Sequence, residues 1–357
     1  MKTHAAIAFS ADAEFQIREV DLAGPGPGEV RVKMQACGIC RSDISALEGK
    51  ETIEFPVVLG HEGSGLIDAV GEGVIGLQTG DPVVLSWSPA CGLCSGCQRG
   101  EHQLCAQINM TTGSIGPVSL DGRSLDRFMG LGAFSEHVVV PEAMAIPVQT
   151  SMDPRHSCLI GCGVTTGFGA AVNTAAIRWG ESVVVFGCGG VGLSAIQGAR
   201  VAGAARIIAV DPIQERRQAA LKVGASVALD VAGAVKQVLG DTGGGADVAI
   251  ECVGKTSTML DAFNTLRPGG RSIVVGLPSY TDTIELPVIM LLREKSIKGS
   301  IYGSAKPHID FQKIAALGEN GQIDFEPLVD KTRHFSEINE GFAEMRAGKL
   351  TRVVLTF

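Results

Sequence analysis

The sequence has no excess of positive charge. Its 30 lysines and arginines are outnumbered by 38 acidic residues, which gives a formal net charge of −8 at pH 7. Binding a polyanion requires clustered Lys and Arg, because each phosphate contact needs a cation. We therefore expect no nucleic acid among the partners of this chain.

Long apolar runs and a leader segment are lacking as well. The most hydrophobic region, Ser182 to Val210, is interrupted by Arg200, Arg206 and several glycines, so we predict no membrane span. The N-terminal region has Lys2 but no sustained apolar stretch before Asp12. We therefore expect no secretory signal and a cytoplasmic location.

Cysteine is too sparse for a disulfide-stapled fold. Ten cysteines are spread over 357 residues, yet four of them fall within fifteen positions, which indicates metal binding in a chain without an export signal. Hydrophobic residues make up 45% and charged residues 19%, without a biased run or a fixed repeat. This composition is typical of a globular protein, and the length favours two domains.

Three stretches of different character follow one another. Residues 1–163 contain short β-type runs separated by Gly, Pro and Asp turns, which predicts a largely β domain. Residues 164–301 alternate β-branched runs with helical segments, which predicts a doubly wound parallel sheet covered on both faces. Residues 302–357 contain two helical segments and a closing strand, and we expect them to return to the first domain. The predicted fold class is α/β.

A glycine-rich turn follows the first strand of the alternating region. Gly187, Gly189 and Gly192 form the pattern Gly-x-Gly-x-x-Gly between an apolar strand and a helix. The first two glycines permit a tight turn beside a pyrophosphate, and the third permits close helix packing. Asp211 follows the next strand, where a carboxylate binds ribose hydroxyls and repels the extra phosphate of NADP. For Arg216 two interpretations stay open: it lies along the adenosine ribose, or it partly offsets that repulsion. We predict a Rossmann domain that binds NAD, with a glycine turn of another parallel-sheet enzyme as the alternative.

A second local motif consists of cysteines alone. Cys91, Cys94, Cys97 and Cys105 are separated by two, two and seven intervening residues. Four thiolates suit tetrahedral zinc, and such a closed site leaves no position for substrate, which makes it structural. An iron–sulfur cluster also takes four cysteines, and the spacing leaves that alternative open. Zinc is favoured because the rest of the chain supplies no second redox centre.

Three further segments complete a longer pattern. Residues 38–43 read Gly-Ile-Cys-Arg-Ser-Asp, residues 60–63 read Gly-His-Glu-Gly, and residues 161–167 read Gly-Cys-Gly-Val-Thr-Thr-Gly. Together with the four-cysteine loop and the glycine turn, they make the chain resemble the zinc-containing medium-chain alcohol dehydrogenases over nearly its whole length. The resemblance implies a GroES-like catalytic domain, a Rossmann domain, and NAD-dependent oxidation of an alcohol with two zinc ions per subunit.

The resemblance also implies a second, open zinc site. Cys40, His61 and Cys162 would bind catalytic zinc and leave its fourth position to alcohol or water. Glu62 would lie close behind the metal, and Asp43 would hydrogen-bond His61 and fix its tautomer. Sequence spacing by itself does not reveal this site, because an isolated His or Cys is more often part of the core.

The implied chemistry is hydride transfer from the alcohol carbon to nicotinamide. Zinc would lower the pKa of the alcohol, and Ser42 would hydrogen-bond the substrate oxygen and pass its proton toward the nicotinamide ribose. Many members of the family have a histidine three residues further on as the last proton carrier, where this chain has Ser45. A serine does not store a proton near pH 7, so we expect proton release through water or by another route.

By the same resemblance, further residues contact the cofactor. Arg41 and Arg352 would bind the pyrophosphate, since guanidinium forks match phosphate oxygens. The other residues assigned to the cofactor are Thr166, Gly190, Val191, Arg216 and Val253. The cysteines without an assigned partner, which we expect to be small buried residues, are Cys37, Cys158, Cys188 and Cys252.

The substrate is only broadly indicated. Trp87, with Leu47, Phe134 and Leu277, is expected to form an apolar pocket, which favours aromatic, allylic or medium-chain primary alcohols. One alternative is a thiol-dependent formaldehyde dehydrogenase that acts on an adduct of glutathione or mycothiol. In that case Arg123 and Arg127 would bind the anionic thiol carrier, although a solvated surface loop is the favoured interpretation of both.

Two questions stay open from the sequence. A non-enzymatic nucleotide-binding protein, or a structural zinc protein, is the alternative from another functional class. An open metal site disfavours it, because such a site serves no packing purpose. For assembly, the resemblance implies a homodimer paired through the sheet edge near Lys298 to Ser304, with a homotetramer as the alternative.

Overall fold

The chain folds into two units. The structure is a computed structural model that describes residues 1–51, 53–108, 116–348 and 350–357. The first unit comprises Met1–Cys162, Lys306–Gly321 and Leu328–Phe357, and the second comprises Gly163–Ala305 and Gln322–Pro327. Within the described ranges no helix has the length and apolar character needed to cross a bilayer.

Strands predominate in the first unit, whereas strands and helices alternate in the second. The strands are β1 (Lys2–Ala8), β2 (Gln16–Leu22), β3 (Glu29–Gly38), β4 (Val57–Val58), β5 (Glu62–Val70), β6 (Pro82–Leu85), β7 (Val118–Leu120), β8 (Arg123–Ser124), β9 (Asp126–Arg127), β10 (His137–Pro141), β11 (Ala145–Pro147), β12 (Ser182–Phe186), β13 (Arg206–Val210), β14 (Val227–Leu229), β15 (Ala246–Glu251), β16 (Leu266–Val274), β17 (Ser296–Gly299), β18 (Lys331–His334) and β19 (Val353–Thr356). The α-helices are α1 (Arg41–Leu47), α2 (Ser95–Gln98), α3 (Pro154–Ser157), α4 (Gly163–Gly169), α5 (Gly190–Val201), α6 (Gln214–Lys222), α7 (Ala234–Asp241), α8 (Thr256–Asn264), α9 (Val288–Leu291), α10 (Pro307–Glu319) and α11 (Ile338–Arg346).

The first unit is built on two mostly antiparallel sheets. One has the strand order β8-β7-β2-β1-β4-β9, and the other has the order β11-β6-β5-β3-β19-β18, with β10 paired to β3. Buried and exposed positions alternate along much of β3, as expected for a strand with one face on the core. One core cluster gathers Ile7, Val20, Val58 and Val139 from four different strands. The expected largely β domain is confirmed.

The second unit is a parallel sheet. Its order is β14-β13-β12-β15-β16-β17, and each neighbouring pair is parallel. This is the doubly wound Rossmann order, in which the sequence direction reverses between β12 and β15. The residues of β12 are almost all buried, because helices cover both faces of the sheet. The predicted fold class is confirmed.

The division between the units differs from the predicted boundaries. Residues 302–305 and 322–327 belong to the second unit rather than to the returning tail. The Asn173 side chain donates to the carbonyl oxygen of Gly303 at 3.2 Å, and Gln197 exchanges two hydrogen bonds with the backbone of Asp324, at 3.0 and 2.6 Å. These contacts join residues far apart in sequence, so local patterning did not reveal them.

Candidate metal centre and dinucleotide site

Strand pairing in the first unit brings distant segments to one place. β3 ends at Gly38, which lies opposite Glu62 at the start of β5, and β19 pairs with the same end of β3. Gly38 has no room for a side chain, because a Cβ there would lie 2.3 Å from a carboxylate oxygen of Glu62. His61 and Arg352 directly precede β5 and β19, and Cys40 lies two residues after the end of β3. The three residues are therefore neighbours in space.

Asp43 connects helix α1 to the histidine. Its Oδ2 accepts a hydrogen bond from the backbone N–H of Cys40 at 3.0 Å. Its Oδ1 accepts another from the N–H of Gly60 at 3.0 Å and lies 3.1 Å from Nδ1 of His61. The carboxylate is fully buried. Because it engages Nδ1, the histidine presents Nε2 as its free nitrogen.

Four side chains converge on one point beside Asp43. Cys40, His61, Glu62 and Cys162 each offer a ligand atom, and these atoms lie within 4.8 Å of one another. Nε2 of His61 is buried and has no hydrogen-bond partner among the residues that the structure describes. Two sulfurs and an imidazole nitrogen form a donor set that zinc prefers, and an ion would satisfy the orphaned nitrogen. The residues present therefore fit a metal ion.

Arg352 supplies the positive charge of this cluster. The residue is 5% exposed; its Nη1 donates to the carbonyl of Ile39 at 2.9 Å, and its Nη2 lies 3.3 Å from Oε1 of Glu62. Burial raises the pKa of Glu62 to about 8, against the opposing effect of the guanidinium. A hydrogen bond from Cys162, with the nearby charges of Arg352 and His61, holds the pKa of Cys40 well below its usual value. Cys40 thus favours the thiolate, the form that binds metals.

The sequence did not indicate that Arg352 pairs with Glu62 beside the candidate metal ligands. The sequence assigned it to the cofactor pyrophosphate, and that contact stays a prediction. The ion pair with Glu62 joins residues from opposite ends of the chain, so no local pattern indicated it. Ser42, the predicted proton carrier, lies on α1 with its Oγ 3.9 Å from Sγ of Cys40.

The four-cysteine loop forms a second cluster in the first unit. The sulfurs of Cys91, Cys94, Cys97 and Cys105 lie within 4.8 Å of one another. Cys94 is the N-cap of α2, and its sulfur accepts backbone hydrogen bonds from Ala106 at 3.4 Å and Cys97 at 3.5 Å. These N–H donors lower the pKa of Cys94 to about 6. Burial raises the pKa of Cys97 to about 12, so the N–H donors favour the thiolate at Cys94 and not at every sulfur. The four sulfurs are nevertheless close enough together to hold one tetrahedral metal.

The glycine turn lies at the carboxyl end of β12 in the second unit. A Cβ on Gly192 would lie 1.8 Å from the carbonyl oxygen of Gly187, so the third glycine is required by packing. A Cβ on Gly189 would meet no atom within 4 Å, which leaves open space in front of the turn. Helix α5 begins at Gly190, and its first amides face this space, as an anion-binding N-terminus requires.

Other predicted cofactor residues of the second unit cluster at the same sheet edge. Asp211 directly follows β13 and is 2% exposed; its oxygens accept hydrogen bonds from the backbone N–H groups of Cys188 and Ile213 at 2.8 and 2.9 Å. Val253 follows β15 and is 41% exposed, with its Cγ2 2.7 Å from the Cβ position of Gly187. The half-buried residues among the predicted set are Thr166 on α4, Val191 on α5 and Arg216 on α6. Arg41 is exposed at the start of α1, in the first unit.

Several predicted surface or pocket residues lie elsewhere. Phe134 is fully buried between Phe15 and Phe342, so it presents no surface to a substrate. Arg127 is 9% exposed, so the interpretation of a solvated loop is wrong for it, whereas Arg123 is exposed. The remaining pocket residues differ in exposure: Leu47 and Trp87 are buried and Leu277 is 57% exposed.

All ten cysteines lie in the described part of the chain as free thiols. Of the four without an assigned ligand role, Cys37, Cys158 and Cys188 are buried as expected. Cys252 is half-buried, so that expectation is wrong for it. Its position directly after β15, at the open edge of the sheet, explains the difference.

Known family models match both halves of the chain. Residues 26–150 match the family model of the alcohol dehydrogenase GroES-like domain, and residues 190–320 match that of zinc-binding dehydrogenases. Among curated relatives, an S-(hydroxymethyl)glutathione dehydrogenase from a Synechocystis species is 37% identical over 369 residues, covering 100% of both chains.

Solved structures give the same result. Benzyl alcohol dehydrogenase from Acinetobacter calcoaceticus is similar with a TM-score of 0.94 and 30% identity, covering 100% of this chain and 99% of that one. A protein from Sinorhizobium meliloti described as a "putative zinc-binding dehydrogenase", bound to NADP, has a TM-score of 0.84 and 27% identity over 100% of both chains. From the relatives' identity and full coverage, this chain belongs to the zinc-containing medium-chain alcohol dehydrogenase family.

Proposed function

We propose that this chain is an NAD-linked dehydrogenase that reversibly oxidises primary aromatic, allylic or medium-chain alcohols to aldehydes at a catalytic zinc. The observation that carries the proposal is the convergence of buried Cys40 and His61 with half-buried Cys162, where the Nε2 of the imidazole has no hydrogen-bond partner among the described residues. Three such ligands leave a coordination position for substrate, as catalytic zinc sites do. The four-cysteine loop would hold the structural zinc, so the stability of the fold does not require a further metal at the second site.

The residues around the centre have separable tasks in this mechanism. Zinc held there would supply a Lewis acid that lowers the pKa of an alcohol hydroxyl. Asp43 holds Nδ1 of His61, which fixes the orientation of the imidazole. Ser42 would accept the hydroxyl proton and pass it toward solvent, while the carbon-bound hydride moves to nicotinamide. The balance is alcohol plus NAD⁺ to aldehyde, NADH and a proton.

The choice of NAD rests on Asp211. Its buried carboxylate lies directly after β13, the position at which Rossmann proteins bind the adenosine ribose. A 2′-phosphate placed there would face a fixed negative charge, which disfavours NADP. The NADP-bound relative of known structure shows that this fold also accepts the phosphorylated cofactor, so the preference has to be measured.

A thiol-dependent formaldehyde dehydrogenase is the second candidate. It is supported by the S-(hydroxymethyl)glutathione dehydrogenase relative. The two arginines predicted to bind the anionic thiol carrier give this candidate little support, because Arg127 is buried and only Arg123 is exposed. The apolar alcohol is favoured for this reason.

One assay distinguishes the candidates. Reduction of NAD, and separately of NADP, is followed with benzyl alcohol, hexanol, and formaldehyde mixed with glutathione or mycothiol. We expect turnover with NAD and the first two alcohols and none with formaldehyde plus thiol. Turnover confined to the thiol adduct contradicts the alcohol assignment, and no turnover with any substrate in zinc-loaded protein favours a non-enzymatic role.

A further inference from the structure

A fully buried glutamate ends β15, at the sheet edge that carries the glycine turn. The Oε1 of Glu251 accepts hydrogen bonds from the backbone N–H groups of Val253 and Gly254, both at 2.9 Å, and from the hydroxyl of Thr258 on α8 at 2.7 Å. Its Oε2 has no hydrogen-bond partner among the described residues. The carboxylate therefore ties down the segment that directly follows its own strand.

The segment Cys252–Gly254, which we call the β15 loop, is packed against the glycine turn. A Cβ on Gly187 would lie 2.7 Å from Cγ2 of Val253. On the other side of the loop, Gly254 has a φ of +84°, and a Cβ there would lie 2.4 Å from the carbonyl oxygen of Leu277. A shift of the β15 loop would therefore move Val253 relative to the turn.

The backbone of the same glutamate holds a second segment. The carbonyl oxygen of Glu251 accepts hydrogen bonds from the N–H groups of Val275 and Gly276 at 2.8 and 3.0 Å. A Cβ on Gly276 would lie 2.0 Å from the backbone nitrogen of Gly254, so this segment and the β15 loop are in direct backbone contact. Glu251 thus orders two neighbouring segments at the carboxyl end of the parallel sheet.

Packing alone does not account for a carboxylate at this position. Burial of a charged group is costly unless donors replace its lost hydration, and an aliphatic side chain would fill the same space without that cost. Two of the three donors that compensate Glu251 belong to the β15 loop. Hydrogen bonds to an ionised acceptor are stronger than those to a neutral one, so the charge holds the loop more firmly than a neutral side chain would.

We propose that Glu251 is a positioning residue of the dinucleotide site. Because the side chain is fully buried, it acts through the β15 loop and not by contact with the cofactor. It holds Val253 against the glycine turn and so raises the affinity for the dinucleotide. This inference rests on the proposed function, in which Val253 borders the bound NAD.

Fluorescence titration with NADH tests the inference. Glu251→Gln keeps the shape and an acceptor oxygen but removes the charge, and we expect the Kd for NADH to rise about tenfold. The matched control is Thr258→Val, which removes the hydroxyl donor and leaves both bonds to the β15 loop, so its Kd should stay within about twofold of wild type. If Glu251→Gln does not fold, Glu251→Asp replaces it with the same expected rise, because the shorter carboxylate does not reach the loop in the same geometry.

Kinetics and a double variant distinguish positioning from a general loss of structure. In Glu251→Gln the KM for NAD should rise without a fall in kcat for benzyl alcohol, whereas partial unfolding would lower kcat and leave KM unchanged. Because the effect passes through Val253, Glu251→Gln should raise the Kd for NADH by less than about twofold in a Val253→Ala background.

Two results overturn the inference alone. One is an unchanged Kd for NADH in Glu251→Gln, and the other is the full effect of Glu251→Gln in the Val253→Ala background. A wild type that binds no NADH overturns the proposed function itself, and the inference with it.

Discussion

Asp211 is one carboxylate with two tasks. Its Oδ2 accepts the backbone N–H of Cys188 and so orients the glycine turn, while its charge faces the place proposed for the ribose. Asp43 has a parallel position in the first unit, where it engages both the start of α1 and His61. In each unit a buried acidic side chain therefore orders the backbone next to the functional group.

Removal of the charge at Asp211 should change cofactor preference. In Asp211→Asn an oxygen remains to accept a backbone hydrogen bond, but the repulsion of a 2′-phosphate is lost. We expect kcat/KM for NAD to fall about tenfold and the ratio of NAD to NADP efficiency to shrink, because hydrogen bonds to a charged group are the stronger kind. The matched control is Asp230→Asn, which removes an ion pair with Arg217 at 3.0 Å. Equal preference ratios for wild type and Asp211→Asn would contradict the assignment.

Ser45 leads to a prediction about pH. It is half-buried on α1, three residues after Ser42. Because serine has no proton to exchange near neutrality, we expect kcat of the wild type to vary little between about pH 6 and 8. Ser45→His should introduce a dependence with an apparent pKa near 6.5, the ordinary value of histidine. A wild-type profile that already follows such a group, and that Ser45→His leaves unchanged, is the opposite outcome.

At the scale of elements, two glycines of the turn before α5 have different roles: Gly192 is required for packing, and Gly189 borders the space proposed for the cofactor. Gly192→Ala places a methyl group against the Gly187 carbonyl oxygen, and we expect a loss of about 2 kcal/mol of unfolding free energy. Gly189→Ala meets no atom of the protein, so its stability should change by less than about 0.5 kcal/mol. The new methyl group would occupy the space proposed for the pyrophosphate, and the Kd for NADH should rise at least about tenfold.

Thermal melting and NADH fluorescence titration measure the two effects separately. Gly240→Ala on α7 is a suitable control, since its Cβ also meets no atom within 4 Å and it lies outside the turn. Unchanged NADH affinity in Gly189→Ala would place the dinucleotide elsewhere.

Particular elements also show which parts of the candidate site could be predicted from the sequence. The glycine turn and the four-cysteine loop were predicted from spacing, because each motif is complete within one short segment. Cys40, His61 and Cys162 were assigned by family resemblance alone, since they lie far apart in sequence and meet only in the folded chain, where β3 pairs with β5. Arg127 was placed wrongly for the same reason: its burial results from the pairing of β9 with β4, which leaves no local signal.

At the scale of the whole molecule, the edge of the parallel sheet is the place where we predict pairing of subunits. β17 is the last strand of that sheet, and the nearby side chains of Val288, Ile289 and Leu292 are 72%, 60% and 77% exposed. Exposed apolar groups beside an unpaired edge favour association. Light scattering should show a dimer, or a tetramer built from such pairs.

A charge in this region should weaken the pairing. In Leu292→Lys we expect a larger monomer fraction at micromolar concentration, because the charge would be desolvated in the interface. Leu93→Lys, at a position that is 82% exposed on the cysteine loop, is the control. A monomeric wild type, or equal association of both variants, contradicts the predicted interface.

The most direct test of the whole account is the zinc content of Cys162→Ala compared with its turnover. The wild type should contain two zinc ions per subunit, and the variant should retain one, held by the cysteine loop, and lose alcohol oxidation. Cys158→Ala, a buried cysteine outside both clusters, should keep both ions and its activity. One zinc per subunit in the wild type, or full turnover in Cys162→Ala, would contradict a catalytic metal at this site.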